Sequence, residues 1–115
     1  MVLGLQTTPR WRWKAGRVSR RQVECVVDVL GRAPPAVARL LALHHPPLVR
    51  GPAGIVGRAA LVRALVVAQV DLVLCGHTHL PGSRSVELAA DGRTHRLIEV
   101  VAGTATSRRT RGTAR

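Results

Sequence analysis

Two rhythms of apolar and polar residues alternate along the chain. Val2 to Thr7 is an apolar run with a polar close and predicts a strand. Ser19-Arg20-Arg21-Gln22 is a capping-box pattern, and Val23, Val26, Val27 and Leu30 follow it at helical spacing. Gly31 and then Pro34-Pro35 end that helix. Arg39 to Leu43 predicts a second strand, running straight into His44-His45-Pro46-Pro47. A glycine- and proline-bearing loop, Leu48 to Gly57, leads to an amphipathic helix over Arg58 to Gln69, with Leu61, Leu65 and Ala68 on one side. Val70 to Cys75 predicts a buried strand that stops at Gly76-His77-Thr78-His79. Leu80 to Gly82 turns the chain. Ser85 to Ala89 and Thr94 to Val101 then read as a hairpin across Asp91-Gly92.

Strand, helix, strand, helix, strand and hairpin in that order describe an α/β domain, with a parallel or mixed sheet and two helices. Ligand sites in such sheets gather beyond the carboxyl ends of the strands. Both histidine clusters stand at predicted carboxyl ends. His77 and His79, spaced i and i+2, can aim their rings to one side of an extended or turning backbone. Neutral imidazole is the commonest protein metal ligand. A structural use also exists: His44-His45 could cap a strand, and His77 could sit satisfied and half-buried. Two clusters at matching strand ends, with glycine and proline fixing the turns, favour ligation. His95, in the hairpin, reads as a surface residue.

Composition adjusts this picture in few places. The chain has 115 residues, enough for one domain with a modest core of Val, Leu, Ala and Ile. Formal net charge is +12, almost all of it arginine, which favours anionic partners. The arginines are scattered until Arg108-Arg109-Thr110-Arg111, so the charge reads as composition bias or general anion preference more than as a nucleic-acid stripe. Trp11 and Trp13 could stack on a base, but packing over a neighbouring element is the simpler role. Cys25 and Cys75 read as small core residues rather than a disulfide or zinc site. No secretory signal or membrane span is visible, and a cytoplasmic location is expected.

The histidine motifs carry a family resemblance. His44-His45-Pro46 after one strand, with Gly76-His77-Thr78-His79 after the next βα unit, resembles the calcineurin-like metallophosphoesterases. Gly16-Arg17-Val18-Ser19 and the closing Ala102 to Gly112 stretch are similar to bacterial members. The resemblance implies the C-terminal half of a four-layer α/β/β/α sandwich. Residues 1–107 would form a partial domain and residues 108–115 a basic, disordered tail. It implies a divalent metal pair of the Fe, Mn, Zn or Ni class. His44 and His77 would bind one metal and His79 the other, and His45 would contact substrate. His44 is chosen because the family's ligand lies two residues before the proline. The implied reaction is phosphodiester hydrolysis by a metal-bound hydroxide between two cations. Gly76 would let backbone approach the metals. The implied substrate is a phosphate-ester small molecule, with cyclic-nucleotide and glycerophosphodiester phosphodiesterases as the nearest analogy.

The family's Asp-x-His, Gly-Asp-x-x-Asp and Gly-Asn-His motifs do not occur, and the chain contains no asparagine. Asp28, Asp71 and Asp91 match no bridging aspartate, and no catalytic residue is assigned. Three imidazoles without a carboxylate predict weak metal binding and negligible activity for this chain by itself. They also point to a missing N-terminal half as partner. An uncovered sheet edge and apolar face are expected, with poor solubility. The alternative function is a basic nucleic-acid-binding module without catalysis, whose binding would be salt-sensitive. A third is a non-catalytic remnant that docks on an intact paralogue.

Overall fold

In a computed structural model, residues 1–5, 16–45, 47–48, 55–76 and 81–102 are described. Strand β1 spans Val2–Leu5, a two-residue β2 Gly16–Arg17, and helix α1 Arg20–Cys25. After a wider helical turn come β3 at Leu40–Leu43, a two-residue β4 at Ile55–Val56, and helix α2 at Arg58–Val67. Strands β5 at Leu72–Cys75, β6 at Gly82–Ala90 and β7 at Arg93–Val101 complete the order. The main sheet has five strands in the order β1-β3-β5-β7-β6. All neighbours are parallel except β6, which pairs antiparallel with β7. The α/β class with a mixed sheet and two helices is thus observed.

The capping box forms as the sequence implies. Ser19 Oγ accepts from the Gln22 amide at 3.2 Å, and the Ser19 amide donates to Gln22 Oε1 at 2.9 Å. Beyond Cys25 the helix widens into a π turn, Val26–Leu30. That turn keeps Val26 and Leu30 in the core but rotates Val27 outward, to 36% exposure. Val27, read as a core position from α-helical spacing, is therefore corrected.

Both helices lie against one face of the sheet. Val26, Leu30, Leu61, Leu65 and Ala68 pack there on Leu41, Leu43, Val73, Cys75 and Leu97. Helix α2 starts at Gly57, whose φ is +91° and whose missing Cβ would stand 2.7 Å from the Val18 carbonyl oxygen. Only glycine fits that corner. The same corner joins β2 to β4, and β4 falls within the stretch Leu48 to Gly57 that the sequence reads as loop. Helix α2 ends in a Schellman motif. The Val70 amide donates to Leu65 at 3.1 Å and the Gln69 amide to Val66 at 3.2 Å, with Gln69 left-handed at φ 56°.

Arg39 ties the helices to the sheet. Its Nη2 donates to the Ala33 carbonyl at 2.7 Å and its Nη1 to that of Ala68 at 3.4 Å. The β6–β7 hairpin turns at Asp91 and Gly92, both at positive φ, as the Asp-Gly dipeptide predicts. Strand β6 begins at Gly82, three residues before the expected start, because Gly82 to Arg84 continue the pairing with Glu99 to Val101. Two further residue assignments change. Cys25 is half-buried rather than core. His95 is half-buried, and its Nε2 donates to the Val70 carbonyl at 2.7 Å, latching the hairpin to the start of β5.

Candidate metal centre

Strands β3 and β5 are adjacent and parallel, with Leu41 opposite Val73 and Ala42 opposite Leu74. Their carboxyl ends therefore leave the sheet side by side. The pairing continues one step further, where the Gly76 amide donates to the His44 carbonyl at 2.9 Å. His44 thus stands against the residue that immediately precedes His77. His77 and His79 themselves lie outside the described residues, as do Trp11, Trp13 and the tail 103–115.

The two neighbouring histidines differ sharply in environment. His44 is exposed, whereas His45 is 1% exposed. Their rings meet edge to face at 88°, with centroids 4.8 Å apart. The side chain of His45, expected to meet substrate, is buried and in edge-to-face contact with the His44 ring. At Gly76 an added Cβ would meet only the His44 carbonyl oxygen, at an ordinary 3.8 Å. Nothing among the described residues demands glycine there.

One acidic residue near this end escaped the sequence reading. Glu99 is 3% exposed and lies on β7 opposite Val73 of β5, one inward-facing position before Cys75. Its Oε1 accepts from Arg84 Nε at 2.9 Å, while Oε2 is buried without a partner. Glu99 borders a recess of about 180 Å³ shared with Gly82, Ser83, Arg84 and Val101. The sequence signal was available: Glu99 alternates inward with Leu97 and Val101 in the otherwise apolar second half of the strand. Burial pushes the Cys75 thiol up to about 12, with Glu99 adding to the rise and Arg84 opposing it. Cys75 is a neutral thiol at pH 7.

Among the described residues no three His, Cys, Asp or Glu side chains gather closely enough to hold a metal ion. A larger hollow of about 770 Å³ lies beside the helices, lined by Val23, Cys25, Val27 and Val67. The charged Arg21, Glu24, Asp28 and Arg32 also line it, and none of its described lining residues belongs to a strand. Among the described residues no helix is long and apolar enough to cross a membrane. No protein-family model and no curated protein matches this chain.

Proposed function

We propose that this chain carries the histidine side of a two-metal phosphoesterase centre of the calcineurin-like kind. The observation that supports this most is the junction of β3 and β5. The Gly76 amide on the His44 carbonyl sets the residue that precedes His77 beside His44 at the carboxyl edge of the sheet. The donor chemistry fits in type, since imidazole suits Zn, Mn and Fe. It falls short in number, because His44, His77 and His79 bring no carboxylate with them.

In this reading His44, His77 and His79 hold the cations, and His45 packs against His44 to fix its ring. The cation pair would polarise a phosphoryl group and lower the pKa of water. The exposed arginines draw the anionic ester toward the edge. The aspartate and asparagine ligands come from another polypeptide segment, so this chain alone is a weak binder with negligible turnover.

Thermal melting tests the reading. Adding Zn²⁺ or Mn²⁺ should raise the melting temperature of the chain, and the double variant His77→Ala/His79→Ala should lose that rise. Turnover of bis(p-nitrophenyl) phosphate should stay near background. High turnover by the chain alone would contradict the need for further ligands. Salt-sensitive nucleic-acid binding that ignores the double variant, with no metal effect on melting, would favour the nucleic-acid module instead.

A further inference from the structure

The strand registers divide the sheet residues between two faces. Opposite the helices, one row runs Val2, Leu40, Leu72, Ile98 and Ser85, and the next runs Gly4, Ala42, Leu74, Val100 and Ser83. No described element covers this face. Val2 is 64% and Ile98 47% exposed. The hairpin extends the face with Glu87, Ala89, Thr94 and Arg96. Its only charged side chains among the described strands are Glu87 and Arg96, which pair with each other at 3.1 Å. In a chain of net charge +12, the described residues of this sheet face thus carry no net charge.

We infer that this face is an interface with a second copy of the chain, sheet packed on sheet. Charge supports the choice of occupant. A basic or acidic partner would find no complementary field on the face, whereas a second copy offers the same neutral apolar surface. Area supports it too. With strands about 4.8 Å apart and about 3.3 Å of rise per residue, the five strands present roughly 500 Å². Two copies then bury about 1,000 Å², the lower bound for a specific interface. A two-fold arrangement is closed, because each copy presents the same patch. Like charge on the remaining surfaces opposes the association, so salt should favour it. The screening length falls from about 10 Å at 0.1 M to about 3 Å at 1 M.

Sedimentation equilibrium of the full chain tests this. The weight-average mass should approach twice the monomer mass as concentration rises, at lower concentration in 1 M than in 0.1 M NaCl. Ile98→Lys places a charge in the apolar row and should weaken association at least tenfold. Its side chain is already half exposed, and an unchanged far-UV spectrum and melting curve of the dilute variant would show that the fold is retained. Val67→Lys, on the outer side of α2, should associate like the parent. A chain that stays monomeric at all concentrations and salts overturns the inference and leaves the face to a different polypeptide. So does association, dimeric or open-ended, that Ile98→Lys leaves unchanged.

Discussion

The two faces of the same sheet follow opposite rules. On the helix side Leu41, Val73 and Leu97 are almost fully buried, and the polar groups there are mostly tied down by Arg39 and Arg84. On the other side the neighbouring residues of the same strands, Leu40, Leu72 and Ile98, remain half-buried or exposed. Both faces are apolar in sequence, as expected of a parallel sheet buried on two sides. The chain therefore encodes two burials but completes one among its described residues. Stability should be concentrated on the helix face, and association on the bare one.

Adjacent leucines break or sharpen that contrast most strongly. Leu41→Ala should cost about 3 kcal/mol in urea unfolding, because a fully buried side chain leaves a cavity. Leu40→Ala, one residue earlier on the bare face, should cost about 1 kcal/mol in dilute monomer. Equal costs would mean that the bare face is covered within the single chain. Next in size is Arg39→Met. It keeps the apolar stem but strands the Ala33 and Ala68 carbonyls, and should destabilise by about 2 kcal/mol. The smallest effect has the opposite sign. Gln69→Gly relieves a left-handed residue at the end of α2 and should stabilise by about 0.5–1 kcal/mol, read as a raised urea midpoint with unchanged slope.

The main elements were legible because their periods and punctuation were strong. The capping box at Ser19, the stop at Gly31 and the Asp91-Gly92 turn each have one dominant local solution, and each forms. What escaped depends on partners distant in sequence. The β2–β4 pair holds two residues from each side and has no periodicity to read. The π turn at Val26–Leu30 moved Val27 out of a face that ideal spacing assigns to the core. His95 looked like surface until the strand register carried it beside Val70. Glu99 looked like one acid among six until pairing buried it opposite Val73. For the candidate site, sequence placed His44 and His45 at a strand end, but not the burial of His45 beside an exposed His44. His77 and His79 follow a strand whose position is seen and whose end meets His44 through Gly76.

We propose that the ends of β3 and β5 together form one cation pocket. Calorimetric titration of the chain with Zn²⁺ tests it most directly, comparing His44→Ala, His77→Ala and His95→Ala with the parent. Weak binding that falls at least tenfold in the first two variants and is unchanged in the third is the predicted result. Binding equally indifferent to His44 and His77 would contradict the account.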